Sequence, residues 1–321
     1  MSTAEPPAVD TVLVAYKSDD VMERALTLAA RLGGRSVVVD HGDGASVRIA
    51  ARMGAVAIHD PANPGFGTGQ NRGVSFTESE FVLLCNPDAQ IVPEAVLRGV
   101  QVLRDRPDVA AVQGVIVNRV SGRPERSAGV EMGPVHLVGR AVGAKALLGV
   151  RAVAAVARRS SLLKDHADRE PDRPVEVETL AATAVLVRRS AYDMVGGFDE
   201  SYFLYGEDLD LCHRLRAAGW KLLTLPGVCA THTSGGSATS TWSREANWWA
   251  GTLQFGASRW SGPAWAAAVV AAGIQATRLT VRHPGRARHA WSAMVVTPLR
   301  RRAVGHRRPA VNPSLRHADI S

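Results

Sequence analysis

The 321-residue chain is poor in cysteine, with only Cys85, Cys212 and Cys229. An odd number without CxxC or Cys/His ligand spacing argues against a disulfide framework and a structural zinc site, and fits a reducing cytoplasm. Long apolar runs are also missing: no stretch reaches the ~18 uninterrupted apolar residues of a spanning helix. The N-terminal MSTAEPPAVD lacks the basic and apolar regions of a signal peptide. A cytoplasmic protein is expected, soluble or peripheral on the inner face of the plasma membrane. No internal repeat is found. Acidic residues are scarce at the C-terminal end, where residues 278–321 hold ten Arg and one Asp. That segment carries +9, which leaves 1–277 at −1 within a chain of formal net charge +8. Arg300, Arg301, Arg302, Arg307 and Arg308 suit an anionic membrane face, or form a solvated disordered tail. Interleaved aromatics and a reading motif are absent, so no nucleic-acid partner is expected.

The size and the 46% apolar content fit one substantial catalytic core with additions. Short β-branched runs alternate with helix-like stretches over the first hundred residues. This is the pattern of an α/β fold with a mostly parallel central sheet flanked by helices. Strands are expected at Thr11–Tyr16, Ser36–Asp40, Ala55–His59 and Phe81–Cys85, with Asp20 and Glu23 as a capping box on the first helix. Asp40 and Asp88 fall at the carboxyl edge of the sheet, where ligands sit in open α/β folds. The amphipathic segment Ala141–Arg159 either covers the core or lies on a membrane. Further on, Ala182–Val187 reads as a strand and Glu207–Ala218 as a helix. Lys221–Leu225 is a strand ending in a turn at Pro226–Gly227, and 240–277 are added helices. The expected organisation is a disordered N-terminus (1–10), a catalytic domain (11–239), a helical extension (240–299) and a basic disordered tail (300–321).

Three segments carry chemistry. Asn63–Gly73, NPGFGTGQNRG, brings backbone close to a neighbour or ligand, or is simply a turn. A nicotinamide-binding Rossmann domain needs GxGxxG directly after strand one, where this chain has YKSDD; the same place lacks the glycine-rich basic signature of a nucleotidyltransferase. The NPD turn sets Asp88 at the end of its strand, able to grip a divalent ion with diphosphate oxygens, or serving the turn alone. GGFDESYFLYGEDLDLCHRL opens a helix with Glu207 and Asp208 in its first turn and with Asp210 and Arg214 spaced to pair. His232 follows the last strand and precedes TSGGS.

In order, VAY, VVVD, NPGFGTGQNRG, NPD, VLVRRSAYDMVGGFDESYFLYGEDLDLCHRLRAAGW and ATHTSGGS resemble glycosyltransferase family 2, especially its bacterial rhamnosyltransferase-like branch, over about residues 11–237. The resemblance implies a GT-A nucleotide-sugar-binding domain and an inverting, metal-dependent transfer of a sugar, with rhamnose from dTDP-rhamnose as the expected donor. The acceptor would be a glycan or polyprenyl-linked hydroxyl in cell-envelope glycan synthesis. By the same resemblance Asp208 is the general base. Tyr16, Asp40, Asn63, Gly65, Phe66, Asn71 and Asp88 serve the donor, while Glu207, Gly197 and Phe198 lie on the acceptor side. Asp88 and His232 hold Mn²⁺ or Mg²⁺. Asn86 replaces the first Asp of a full Asp-x-Asp, as is common in that branch. The departures at His41–Gly42, Thr179 and Ala182–Thr183 motivate an alternative: a catalytically inactive nucleotide-sugar-binding or scaffold protein of the same fold.

Overall fold

The computed structural model describes residues 8–142, 171–233, 241–296 and 299. Its centre is a nine-stranded mixed sheet of mostly parallel strands. Strands β1 (Val9–Ala15), β2 (Gly33–Asp40), β3 (Val56–His59) and β4 (Phe81–Cys85) pair in parallel in the order β3-β2-β1-β4. Every residue of β1 and β4 is buried, as in a sheet covered on both faces. Beyond β4 the order continues with β10 (Ala184–Arg188), β6 (Val109–Asn118), β11 (Lys221–His232) and β5 (Gln90–Ile91); β8 (Val175–Val177) pairs with β11. β10 runs antiparallel to both its neighbours. β7 (Ala128–Gly129) and β9 (Thr179–Leu180) form a separate two-stranded ribbon.

Helices α1 (Asp19–Ala30), α2 (Ala45–Arg52), α3 (Phe66–Val74) and α4 (Pro93–Asp105) cover the faces. Two apolar layers result. One joins Leu13, Met22, Leu26, Val38, Leu83 and Leu103. The other joins Val12, Leu84, Val185, Tyr192, Phe198 and Leu211. α5 (Pro134–Val142) and α6 (Arg189–Met194) precede α7 (Glu207–Ala217). After β11 come α8 (Thr241–Ala257), α9 (Gly262–Arg282) and the short α10 (Ala287–Trp291). A third apolar cluster unites α5, α8, α9 and the following turn through Leu137, Trp249, Leu253, Ala268, Ala272, Leu279 and Met294.

Two local expectations are corrected. The first helix begins at Asp19 with Ser18 at its N-cap and no side-chain cap bond, so Asp20 and Glu23 form no capping box. The turn at Pro226–Gly227 does not end a strand. β11 continues through it to His232, with a register shift between Thr224 and Val228 and Gly227 at φ 87°. This irregularity carries His232 onward to pair with Asn118. α9 is an apolar 21-residue helix long enough to cross a membrane by length and composition, although Gln275 and Thr277 interrupt its apolar run. Most of Ala141–Arg159, the TSGGS segment and the basic tail lie outside the described residues.

Candidate active site

The loops at the carboxyl edge of β1–β4 converge on the segments before α7 and after β11. Non-glycine residues with positive φ are Lys17 after β1, Asn63 after β3 and Tyr205 before α7, at 53°, 46° and 67°. All three lie on these loops, where strained backbone most often has functional meaning.

On the donor side, Tyr16 is exposed directly after β1. Asp40, 1% exposed at the end of β2, accepts the Gly42 N–H on Oδ1 at 2.7 Å, and its Oδ2 has no protein partner. A buried carboxylate oxygen without a donor awaits one from a ligand or water, which fits a nucleoside hydroxyl or base N–H. The neighbouring His41 is buried and placed 2.9 Å from the Asp60 carbonyl through Nδ1. The glycine-rich loop is packed backbone to backbone. At Gly65 (φ 120°) a Cβ would lie 2.6 Å from the Phe203 carbonyl, and the adjacent Phe66 N–H donates to that carbonyl at 3.0 Å. Phe66 sets its ring edge-on to Phe198 at 6.2 Å.

The structure gives Asn71 a different task from lining the donor pocket. Its amide donates to the Phe198 carbonyl and to Glu200, and its oxygen accepts from the Tyr192 hydroxyl and the Phe198 N–H, at 2.6–2.9 Å. Asn71 therefore ties α3 to the Gly196–Phe198 turn. Gly197 is required there, because a Cβ would lie 2.4 Å from the Asn71 oxygen. Phe198, 2% exposed, is a core residue beside Tyr192 and Phe66. Phe198 also lines a small apolar cavity with Ala182 and Asp208.

Asp88 and His232 are brought together from β4 and β11, which are not sheet neighbours. Asp88 Oδ2 lies 3.3 Å from His232 Nε2. The other ring nitrogen, Nδ1, contacts Glu125 at 2.9 Å, and Glu125 accepts from the Asn118 amide at 2.9 Å. Glu125 escaped the sequence reading: it lies in an irregular segment, and only the pairing of β6 with β11 brings it to the histidine. Burial alone would lower the imidazole, but a carboxylate at each ring nitrogen raises it above its ordinary value, and it donates to both Asp88 and Glu125. A cation would take the place of the Nε2 proton, leaving Nδ1–H on Glu125 to orient the ring. The donor pair thus fits a divalent ion completed by diphosphate oxygens, although no group of three or more metal-capable side chains occurs among the described residues.

Glu207 and Asp208 open α7 behind two left-handed residues, Tyr205 and Gly206. Glu207 is 5% exposed, and its Oε2 has no partner. Burial, reinforced by the charge of Asp208, pushes its carboxyl up to about 8. Asp208 is also raised by burial, but the N–H groups of Leu209, Asp208, Ala182 and Gly206 oppose the rise. Of two adjacent acids, the one facing more N–H donors is the more readily ionised. Four backbone donors act on Asp208 and one on Glu207, so the donors favour Glu207 as the proton holder and Asp208 as the carboxylate of the pair.

The β9–β10 connection joins the two halves of the site. Ala182 offers its N–H to Asp208, and the Thr183 carbonyl accepts from Asn86 at 2.9 Å, one residue from the Asp88 turn. Tyr205 lies between them. Burial raises its hydroxyl, Arg244 lowers it, and the charges of Glu207, Asp208 and Asp88 all act on it. Tyr205 is a second residue the motifs did not single out.

α8 supports this turn directly. A Cβ on Gly251 would lie 1.9 Å from the Tyr205 carbonyl, and one on Gly206 would lie 2.6 Å from the Gly251 carbonyl. Below the turn, Asp210 pairs with Arg214 at 2.6 Å, as the i, i+4 spacing predicts, and also with Arg259, just beyond α8.

Comparison with known proteins agrees with this geometry. The profile described as glycosyltransferase-like family 2 matches residues 4–252. The N-acetylglucosaminyl-diphospho-decaprenol L-rhamnosyltransferase of Mycobacterium tuberculosis is 30% identical over 241 residues, covering 69% of this chain and 74% of that protein. The rhamnosyltransferase WbbL of Escherichia coli is 40% identical over 72 residues, 22% of this chain and 27% of its own. Among solved structures, the mannosyltransferase PcManGT of Pyrobaculum calidifontis, in complex with GDP-Man and Mn²⁺, superposes with a TM-score of 0.53 at 17% identity. It covers 94% of this chain and 87% of its own, a likeness of fold.

Proposed function

Given that the chain belongs to the glycosyltransferase-like family 2 and is a glycosyltransferase, we propose that it moves a sugar, with inversion, from a nucleoside diphosphate to the hydroxyl of a polyprenyl-linked acceptor in cell-envelope glycan synthesis. Rhamnose from a dTDP donor is the favoured sugar, supported by the rhamnosyltransferase relatives. The observation that carries the reading is the adjacent pair Glu207 and Asp208 at the start of α7, joined through Ala182–Thr183 to the Asp88–His232 pair.

Asp208 takes the proton of the acceptor hydroxyl as that oxygen attacks the anomeric carbon. The C–O bond to the diphosphate breaks as the new glycosidic bond forms on the opposite face, so a single displacement inverts the centre. Asp40 holds the nucleoside through its unpaired Oδ2, and the loop Asn63–Phe66 walls the donor. Asp88 and His232 would hold a Mn²⁺ or Mg²⁺ ion, with Glu125 fixing the imidazole. When bound, such an ion offsets negative charge on the leaving diphosphate. The acceptor lipid places the protein at the cytoplasmic face of an anionic membrane.

Asp208→Asn tests the reading. Turnover of dTDP-rhamnose should fall by about 10³-fold or more, while calorimetry shows donor binding within about twofold of wild type. Equal turnover by the variant would remove Asp208 as the base, whereas no wild-type turnover of dTDP-rhamnose, UDP-galactofuranose, UDP-glucose or GDP-mannose with Mn²⁺ present would leave the inactive-scaffold alternative standing.

A further inference from the structure

α9 has two unlike faces. Trp265, Ala268, Ala272, Ala276 and Leu279 are buried in the cluster shared with α5 and α8. On the other side Ala266, Ala267, Val270, Ile274 and Val281 are exposed, Val270 by 64% and Val281 by 75%. At 3.6 residues per turn these positions fall within an arc of about 100°, with Thr277 as its sole polar member. Trp291, 39% exposed, extends the stripe along one edge, since its ring lies 3.9 Å from where a Cβ on Gly273 would be. The opposite edge is basic, with Arg282 exposed at the end of the helix and Arg288 exposed just after it, while Arg278 on the same edge donates to the Ala141 carbonyl of α5. Residues 246–318 contain 11 Arg and no Asp or Glu.

A single apolar residue on a surface needs no explanation, but a stripe running the length of a helix beside an acid-free basic rim does. We infer that the outer face of α9, with Trp291, docks on an anionic bilayer, the helix lying in the plane of the interface rather than crossing it. Crossing would expose to lipid the small-residue face that packs against α8 and α5. Lying flat buries only the exposed stripe, to a depth of about 5–10 Å, and sets the arginines at the headgroups. The partner follows from charge complementarity: a protein groove would have to supply acidic groups along a helix of 21 residues, whereas an anionic leaflet presents them everywhere.

This inference deepens the lipid-linked acceptor reading and rests on it for its purpose, though not for its evidence. α8 packs against the buried face of α9 and touches the Tyr205–Gly206 turn through Gly251. α9 and, beneath it, α8 therefore lie between the docking face and the turn that precedes Asp208, so docking fixes the orientation of that turn relative to the leaflet that holds the acceptor.

The test is co-sedimentation of the full chain with vesicles of equimolar phosphatidylglycerol and phosphatidylcholine, and with vesicles of phosphatidylcholine alone. Wild type should bind the anionic vesicles and leave the neutral ones. Val270→Glu with Ile274→Glu should weaken binding by about tenfold or more. Arg282→Gln with Arg288→Gln should weaken it by about tenfold and flatten its salt dependence; this pair remains informative if the apolar variant fails to fold. Deletion of 300–321 separates the stripe from the tail, and loss of all binding on that deletion with none in the stripe variants would overturn the inference. So would light scattering that shows a wild-type dimer turned monomeric by the stripe variants, which would give the face to a second copy. Calorimetry with dTDP-rhamnose on the same proteins keeps the two readings apart: vesicle binding without donor binding sinks the transferase reading alone, and the reverse sinks the docking face alone.

Discussion

Replacing the buried acid beside the base should leave the enzyme working. Glu207 is 5% exposed, lacks a donor for Oε2, and is pushed up to about 8 by burial and by Asp208. At pH 7 a group with that affinity is about nine-tenths protonated. Glutamine copies the neutral form in shape, so Glu207→Gln should keep kcat/KM at pH 7 within about threefold of wild type. The acid limb of the pH profile, which belongs to Asp208, should stay in place because Glu207 is neutral there. The change expected in wild type near pH 8, as Glu207 ionises next to the base, should vanish. Stability has the same logic. A carboxyl raised in the folded state contributes stability that is fully present below its unfolded value and is lost as pH rises through the folded one. The variant should therefore match wild type in urea unfolding at pH 4 and exceed it by on the order of 4 kcal/mol at pH 8. A loss of turnover as deep as that of Asp208→Asn, in a folded Glu207→Gln protein, would refute the assignment and show that the ionised form of Glu207 works in the reaction.

Glu125→Ala should weaken Mn²⁺ binding in the presence of dTDP by about 10–100-fold, read from the free-ion signal in electron paramagnetic resonance. Glu125→Gln, which keeps an acceptor for His232, should fall between; unchanged affinity in both would remove Glu125 from the site. Asp10, 3% exposed, accepts backbone N–H groups from Arg35, Glu78 and Ser79 at 2.7–2.9 Å. Burial alone would raise its carboxyl, but these donors outweigh it and hold it below the ordinary range. Asp10→Asn should cost about 2–3 kcal/mol at pH 7. Because the folded value is depressed, that difference should close as pH falls below about 4, and a gap that persists under acid would contradict the charge-assisted account. Gly251→Ala forces a Cβ against the Tyr205 carbonyl, so it should lower kcat through the displaced turn and destabilise the fold by about 1–3 kcal/mol, measured by turnover and thermal unfolding. Wild-type kcat would show that α8 does not hold the turn.

Much of the sheet was legible because its strands are buried on both faces. Phe81–Cys85 is an unbroken apolar run, and a run of that kind between turn signals reads as a parallel strand. β11 was read too short because Pro226 and Gly227 are turn residues by local chemistry. In the fold they form an irregularity within a strand whose pairing with β6 resumes at Val228. The motifs led to residues that the fold brings together, Asp88 beside His232 and Glu207 beside Asp208, and the Asp210–Arg214 pair was legible from its spacing. Asn71 was assigned by position in a motif, yet four hydrogen bonds to protein commit it to holding Gly197 and Phe198. Spacing reports that a residue sits near a site, and only its bonding partners report whether any capacity is left for a ligand.

The same distinction explains why the C-terminal helices looked like an addendum. Composition marks 240–277 as Trp- and Ala-rich, and nothing in that composition points at the base. The connection lies in two glycines far apart in sequence: Gly206, in the left-handed conformation that starts α7, and Gly251, in the middle of α8 where a helix would ordinarily prefer alanine. Each is intelligible only as the other's neighbour, since a Cβ on either would strike backbone of the opposite segment. Arg259 adds a charge contact from the α8 side to Asp210, one turn below Glu207 and buried to 3% exposure. The left-handed Tyr205 costs on the order of 1 kcal/mol or more, and it persists because α8 closes over it. α9, which presents the apolar stripe, packs on α8, which holds the turn in its strained form, so the proposed docking face and the proposed proton acceptor belong to a single packed unit.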